Sequence, residues 1–317
     1  MAIVANTFQS YTAIGQREDL SDIIYNISPT ETPFISAIGK TKATAVNHEW
    51  QTDALKDAAS NAQLEGDEIA FASGWNTVTV RLANRAQISS KPVIVSGTLD
   101  AVSEAGRNSE MAYQISKASK ELKRDMEFNL CGVNQAQAAG NNTTARKLAP
   151  VDSWIRTNTD IGGGSGANPN ATGTNARTDG TQRAFTEDML KGVAASCWNN
   201  GGEPSMIMVG SFNKQKISEF TGGSTKFTQS DEKKLVASID VYEGDFGTMQ
   251  VVPNRFSRSR QAYIMQPDMW AVAFLRDFTF SELAKTGDSS KNFLLAEYTL
   301  EARNEAANGI VADLTTA

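Results

Sequence analysis

Residue types that usually perform chemistry are sparse in this sequence. The 317 residues include one histidine, His48, and two cysteines, Cys131 and Cys197. Any Ser-His-Asp or Cys-His mechanism would have to use His48, which lies beside Val46 and Trp50 in a predicted strand. One histidine and two distant cysteines cannot supply the usual ligands of a zinc site. We therefore expect no catalytic, metal-binding or cofactor-binding residue, and we expect both cysteines to be small, buried and reduced.

Two further patterns resemble ligand sites only in composition. Glu65, Asp67 and Glu68 form an acidic cluster that could bind calcium, but their spacing does not match a calcium loop, which favours a solvated turn. The glycine-rich runs at 162–166 and 222–226 lack the GxxxxGK[ST] order that aims backbone amides and a lysine at a phosphate. The enzymatic interpretation is therefore left without a reaction centre.

The basic residues are densest at Arg255, Arg258 and Arg260. The whole chain has 30 Lys plus Arg against 36 Asp plus Glu, a net charge of -6. This balance argues against a general nucleic-acid-binding surface, since phosphate affinity comes mainly from basic excess. We expect the three arginines to form ion pairs between subunits, with nucleic-acid contact as the alternative. Lys56 could be a cross-linking lysine, although a solvated lysine is commoner.

One long helix dominates the predicted secondary structure. Apolar residues recur at the three-then-four spacing that lines one helical face between Ser109 and Gln137: Met111, Ile115, Ala118, Leu122, Met126, Leu130 and Val133. Asn108 or Ser109 can cap its start, and Gly140 with Asn141 can end it. Such a helix would be about 45 Å long at 1.5 Å per residue. Other elements must therefore pack along its length.

A long β-hairpin precedes this helix. Alternating residues predict strands at Ala45–Thr52 and Trp75–Leu82, joined by a long tip. A lone two-stranded ribbon is marginally stable in water, so the hairpin should rest on another part of the chain or on a second subunit. The candidate assembly residues here are Trp50, Lys56, Glu65, Asp67, Glu68 and Trp75.

The remaining pattern predicts a mixed α+β plan. An arm at 1–18 and a short helical face at 20–27 precede the hairpin. A biased, Gly- and Asn-rich segment at 160–180 is expected to be a flexible loop or a domain-internal insertion. We expect the C-terminal strands to return to the long helix. The other predicted elements are a strand at 87–96, a helix at 186–199, a strand at 205–209, a helical face at 212–220, a hairpin around 243–247, and strands at 261–265, 270–274 and 292–301.

This order of elements resembles the Hong Kong 97 fold of tailed-bacteriophage major capsid proteins. The most specific block is Asp19–Leu55, and further similarity lies at Glu104–Arg107, Leu148–Ile155 and Phe280–Arg303. The resemblance implies an N-terminal arm at 1–44, an extended loop at 45–86, a peripheral domain with the spine helix at 87–147, an axial α/β domain at 148–255, and returning peripheral strands with the C-terminus at 256–317.

The same resemblance implies a function. Such subunits self-assemble in the bacterial host cytoplasm into hexamers and pentamers of an icosahedral virion head, which encloses double-stranded DNA without sequence-specific or membrane binding. A separate scaffold, a portal and decoration proteins are the implied partners. No match to a cross-linking Lys, Asn and Glu is found, so we expect a non-covalent shell. The alternatives are an encapsulin-like cellular shell with an enzyme cargo, an enzyme of unknown class, and a tail or neck component.

Overall fold

The computed structural model of the chain describes residues 31–62, 64–66, 78–102, 109–220 and 240–317. The predicted arm at 1–18, the helical face at 20–27 and the glycine run at 222–226 lie outside these residues. The helices are α1 (Pro33–Ala37), α2 (Gly97–Ala101), α3 (Glu110–Cys131), α4 (Glu187–Asn199) and α5 (Ser211–Glu219). The strands are β1 (Gly39–Lys42), β2 (Asn47–Thr52), β3 (Val80–Arg85), β4 (Gln87–Ser96), β5 (Asn158–Asp160), β6 (Met206–Val209), β7 (Val241–Gly244), β8 (Gly247–Pro253), β9 (Ala262–Met265), β10 (Trp270–Leu283), β11 (Ser289–Ala302) and β12 (Gly309–Val311).

A four-stranded sheet in the order β1-β10-β11-β4 supports the long helix. β4, β11 and β10 pair antiparallel, and β1 joins β10 in parallel. Helix α3 lies against β4 and β11, where its Leu122 and Met126 share a core with Val93 and Leu294 of the strands. Full burial of such a side chain contributes about 1.5–3 kcal/mol. The predicted return of the C-terminal strands to the long helix is confirmed.

Helix α3 is shorter than the sequence predicted. It has 22 residues, or about 33 Å at 1.5 Å per residue. Ser109 caps its start, since the Ser109 Oγ accepts a hydrogen bond of 3.3 Å from the Ala112 amide. The helix ends at Cys131 and not at Gln137. Gly132 follows, where a Cβ would lie only 2.2 Å from a backbone carbonyl oxygen, and glycine weakens a helix.

Side-chain hydrogen bonds hold the segment after α3. Gln135 Nε2 donates to the Leu148 carbonyl at 3.0 Å, and Gln137 Nε2 donates to the Ala83 carbonyl at 3.1 Å. Gly140, the predicted end of the helix, has a positive φ of 75° in a turn several residues further on. The polar residues that the sequence placed in the helix therefore connect it to neighbouring segments.

A six-stranded sheet in the order β5-β12-β9-β6-β8-β7 forms the second layer. The side chains of β6 alternate between two cores. Met206 and Met208 lie in the core that contains α3, whereas Ile207 and Val209 lie in a second core with α4 and α5. The predicted helix at 186–199, the helical face around Ile217 and the hairpin around 243–247 are confirmed as α4, α5 and β7-β8.

Residues 256–317 supply strands to both sheets. β10 and β11 belong to the four-stranded sheet, but β9 pairs with β6 and β12 pairs with β9 in the six-stranded one. The expectation that this segment returns wholly to the peripheral part is therefore corrected. All residues of β9 and β12 are buried, and their side chains contribute to both cores.

The strand bounds differ from the predicted ones. β10 and β11 each have 14 residues, because they continue as a long hairpin beyond register shifts around Arg276. In the described residues, the second hairpin strand is Val80–Arg85, which extends beyond the predicted end at Leu82. The sequence did not predict β1, β5 or β12. β5 and β12 have three residues each, which are too few to show a period.

Candidate assembly surfaces

The base of the β2-β3 hairpin is attached to its own subunit. The two strands pair antiparallel. Trp50 Nε1 donates to the Ala302 carbonyl at 2.8 Å, and the centroid of the indole ring lies 5.4 Å from that of Trp154. The contacts of Trp50 in the structure are therefore contacts within the chain, and its role in assembly stays a prediction.

Asn84 fixes the direction in which the hairpin leaves the sheet. Its amide nitrogen donates to the carbonyls of Ala149, at 3.0 Å, and Leu300, at 2.8 Å. Its amide oxygen accepts from the Ala149 amide at 2.9 Å. Asn84 is fully buried, and a hydrogen bond contributes about 0.5–1.5 kcal/mol net. No motif or spacing in the sequence singles out this residue.

His48 connects the hairpin to β11. Its Nε2 lies 3.2 Å from Glu301 Oε2, which also accepts a hydrogen bond of 3.0 Å from Thr41 Oγ1. Burial disfavours the charged carboxylate, but hydrogen bonds from His48, Arg303 and Thr41 outweigh it and lower the pKa of Glu301. The histidine of this chain therefore forms a structural link between β2 and the four-stranded sheet.

The hairpin tip presents large apolar side chains to solvent. Leu55, Leu64 and Val78 are 97%, 79% and 85% exposed. Exposure of single apolar side chains is normal, but several on one excursion indicate an interaction surface. The base of the hairpin is therefore attached to its own subunit, whereas the tip is available to a partner.

The structure describes only some of the other candidate assembly residues at the hairpin tip. Lys56 and Glu65 are exposed, as expected for residues on a solvated excursion. Asp67, Glu68 and Trp75 lie outside the described residues. The contribution of Lys56 and Glu65 to assembly stays a prediction.

Arg258 and Arg260 are bound to carboxylates of the same chain. Arg258 donates to Asp152 at 2.6 Å and to both oxygens of Asp179 at 2.9 and 2.7 Å. Arg260 donates to Asp179 at 3.2 Å and to Asp313 at 2.8 Å. These two residues therefore form ion pairs within their own chain, and ion pairs of theirs between subunits stay a prediction. Their partners lie far away in sequence, so no local spacing revealed them.

Asp152 is the centre of this ionic network. Its side chain is fully buried and accepts further hydrogen bonds from Arg177 Nε and Gln261 Nε2, both at 3.1 Å. Burial alone would lower the pKa of Arg258, but Asp152 and other neighbouring groups raise it. Arg255, the third member of the basic run, is exposed.

The same network holds the Gly- and Asn-rich segment. Asp313 accepts from the amides of Gly162, at 3.1 Å, and Gly180, at 2.8 Å. Arg177 is 3% exposed and donates to the Ile155 carbonyl at 2.7 Å. The segment at 160–180 therefore differs from the flexible loop that its composition predicted, because Asp313 outside the stretch and Arg177 within it bind it to neighbouring parts of the chain.

A buried carboxylate attaches α1 to the long helix. Glu127 of α3 is fully buried and accepts from the amides of Phe34 and Ile35 at 2.8 and 2.9 Å. It also accepts from Asn254 Nδ2 at 2.7 Å. Burial raises the pKa of Glu127, and these three hydrogen bonds only partly offset that rise. Helical spacing alone gives no sign that Glu127 is buried, since only tertiary packing shows that α1 covers it.

The face of the four-stranded sheet opposite α3 exposes apolar side chains. On β4, Val93 and Val95 point to the core, whereas Ile88 and Ile94 are 44% and 63% exposed. Leu283 of β10 is 46% exposed and is paired with Lys291, which in turn is paired with Ile94. This face is a second apolar surface available to a partner.

The described residues contain neither a cluster of metal ligands nor a helix that could span a membrane. In residues 31–62, 64–66, 78–102, 109–220 and 240–317, no three His, Cys, Asp or Glu side chains are grouped as metal ligands would be. Within those same ranges, no helix combines the length and the apolar character that a membrane crossing requires.

Solved structures of phage heads and related particles share this fold. The capsid of a native GTA particle matches with a TM-score of 0.63 at 9% identity, covering 96% of this chain and 97% of that one. A structure of the major capsid and decoration proteins of phage G matches with a TM-score of 0.54 at 8% identity, covering 99% and 100%. The chain therefore has the Hong Kong 97 type capsid fold that the sequence predicted.

Sequence comparison agrees with the fold. The major capsid protein of Escherichia phage Phieco32 is 26% identical over 339 aligned positions, covering 96% of each chain. The family model described as SU10 major capsid protein matches residues 3–315. This match spans nearly the whole chain, so the protein belongs to the SU10 major capsid protein family.

Proposed function

We propose that this capsid protein assembles with itself into hexamers and pentamers of an icosahedral phage head that encloses double-stranded DNA. The family match over residues 3–315 supports the shell-forming role. The observation that carries the mode of assembly is the contrast within the hairpin, whose base is attached to its own subunit through Trp50 and Asn84 and whose tip exposes Leu55 and Leu64.

A second copy of the chain is the partner that fits this tip. Burying an exposed leucine contributes about 1.5–3 kcal/mol. The apolar sheet face that contains Ile88, Ile94 and Leu283 offers a receiving surface on every copy. Because the tip and the face are different surfaces, their contact is heterologous, and repeating it around a rotation axis generates a closed ring.

Other proteins complete the particle in this proposal. Phage G provides a precedent, since its structure contains decoration proteins beside the major capsid protein. We include a decoration protein, a portal and a separate scaffold as partners of the shell, which would be assembled in the host cytoplasm. None of these partners supplies the repeated contact between copies of this chain.

Electron microscopy of the purified full-length chain tests the proposal. We expect uniform closed shells from the wild type. Leu55→Ser with Leu64→Ser should leave the free energy of subunit unfolding within about 0.5 kcal/mol of the wild type while strongly reducing the yield of shells. Leu55→Met with Leu64→Met is the matched control, because it keeps apolar side chains and should keep the shells.

Three outcomes would count against the proposal. A wild type that stays monomeric under assembly conditions would refute self-assembly, and shells of unchanged yield from the double serine variant would refute the role of the tip. The contents are tested separately by nuclease treatment of particles from a lysate, which should leave protected duplex DNA. An enzyme cargo in place of DNA would instead indicate an encapsulin-like shell.

A further inference from the structure

The side of α3 that faces away from the sheet carries a line of basic residues. Lys117, Lys120 and Arg124 are three and four residues apart, so they lie along one face of the helix. Lys123 lies beside this line, and Lys117, Lys120 and Lys123 are all exposed. Lys117 and Arg124 are about 10 Å apart along the axis at 1.5 Å per residue. We call these four residues the basic strip.

Acidic groups of the described residues do not neutralise the lysines of the basic strip. None of its three lysines forms an ion pair in the part of the chain that the structure describes. The acids of this stretch, Glu121 and Asp125, lie on an adjacent line, and Asp125 is bound to Lys91 at 2.6 Å. Lys120 lies three or four residues from Lys117, Lys123 and Arg124, and like charges at this spacing repel each other on a helix. A bound anion would relieve this repulsion.

Arg124 shows the same lack of a partner at the end of the strip. Its guanidinium carbon lies 5.4 Å from the ring centroid of Phe256, which holds the side chain in place beside α3. Its buried Nε has no hydrogen-bond partner among the described residues. Arg255, adjacent to Phe256, is exposed and adds another cation near this end. The strip is therefore an array of cations along one helical face, and its three exposed lysines are accessible to an anion.

We propose that the basic strip binds phosphates of the duplex DNA that the shell encloses. The inference rests on the proposed function, since it assigns a surface of the subunit to the packaged polyanion. Duplex DNA carries one negative charge per about 1.7 Å of its axis, so several phosphates lie within reach of a strip of this length. The chain as a whole has a net charge of -6, which repels DNA elsewhere and confines the contact to this helix.

The salt dependence of DNA binding tests the strip. Purified full-length protein is titrated with a short fluorescent duplex at several salt concentrations. The strip variant combines Lys117→Gln, Lys120→Gln and Lys123→Gln, all at exposed positions. The matched control combines Lys191→Gln, Lys216→Gln and Lys285→Gln, which remove the same net charge elsewhere. Urea unfolding of both variants verifies that the fold is retained.

The expected result is a change of slope in one variant only. The logarithm of the association constant should depend less steeply on the logarithm of the salt concentration by about 2.7 in the strip variant, since each phosphate contact contributes about 0.9. The control should keep the slope of the wild type. Equal slopes for all three proteins would overturn the proposal.

A polyglutamate probe separates DNA from an acidic protein partner. Binding of polyglutamate that depends on the strip, with DNA binding that does not, would overturn the proposal and assign the surface to a protein. The readout is independent of shell formation, which microscopy scores separately. The two tests therefore distinguish a strip that does not bind DNA from a protein that does not form shells.

Discussion

Two groups of basic residues in this subunit have opposite surroundings. Arg258 and Arg260 are the denser run in the sequence, yet their guanidinium groups are bound to Asp152, Asp179 and Asp313 of the same chain. The lysines of the basic strip are more dispersed in the sequence, and within the described residues they have no carboxylate partner. The local density of charge along a chain therefore does not show where charge is available to a partner.

The difference follows from burial. An isolated ion is expensive to bury, so the arginines near the second core occur with carboxylates that neutralise them. Solvated lysines on a helix surface need no such partner for folding. The network should therefore be essential for the stability of one subunit, and the strip should matter only when a partner is present. The following predictions test this contrast.

The largest effect on folding is expected from Asp152→Asn. The change keeps the shape of the side chain but leaves Arg177 and Arg258 without a buried counter-charge. Breaking a buried ion pair in this way costs about 3–5 kcal/mol. Urea unfolding of the unassembled subunit measures the loss. Asp179→Asn is the matched control and should cost less, because the side chain of Asp179 is 32% exposed. A loss below about 1 kcal/mol for Asp152→Asn, the range of an exposed pair, would show that the network is dispensable.

A second prediction compares the two faces of α3. Leu122→Ala removes a fully buried side chain and should lower the free energy of unfolding by about 2–5 kcal/mol. Lys123→Ala, the next residue, should change it by no more than about 0.5 kcal/mol. Thermal or urea unfolding of both variants provides the comparison. Similar losses for the two would mean that the apolar stripe has been assigned to the wrong face.

A smaller loss is expected from Glu127→Gln. The glutamine oxygen can still accept a hydrogen bond, but its amide group would face one of the donors from Phe34, Ile35 or Asn254. One unsatisfied buried donor costs about 1–3 kcal/mol. Limited proteolysis between residues 31 and 38, together with urea unfolding, measures how firmly α1 stays attached. Unchanged protection of this segment would contradict the role of Glu127.

The difference in stability between the wild type and Glu127→Gln should depend on pH in a definite direction. The pKa of Glu127 is raised in the folded state above its ordinary value of 4.5, so the native protein binds this proton more tightly than the unfolded chain. The stabilisation from that proton is complete below the ordinary pKa and is lost as the pH rises through the raised value. Relative to Glu127→Gln, the wild type should therefore gain stability on acidification from neutral pH, measured by urea unfolding. A relative loss would contradict the assigned burial.

The sequence predicted elements whose signal is local. The apolar period located α3 and the core positions Leu122 and Met126, and alternation located β4 and the hairpin base. Spacing alone could not show that Gly132 ends the helix, because the reason is a close approach by a distant backbone carbonyl. Strands such as β12 were missed because three residues show no period. Pairing in the six-stranded sheet, which determines their place, joins segments far apart in the chain.

The candidate surfaces were predictable only in part. Exposure of Lys56 and Glu65 follows from their position on an excursion, and the tip itself follows from the two flanking strands. The pairing of Arg258 with Asp152 spans 106 residues, and no feature of either neighbourhood indicates the other. The burial of Glu127 could not be predicted for the same reason, since a polar residue on a helix becomes buried only when another segment covers it.

Cryo-electron microscopy of the assembled shell at side-chain resolution tests the contrast between the two basic groups most directly. In every subunit, Arg258 and Arg260 should remain bound to Asp152, Asp179 and Asp313 of their own chain. Lys117 and Lys120 should face the packaged DNA without a protein carboxylate. Guanidinium groups bound to carboxylates of a neighbouring subunit, or strip lysines buried in a protein interface, would contradict this account.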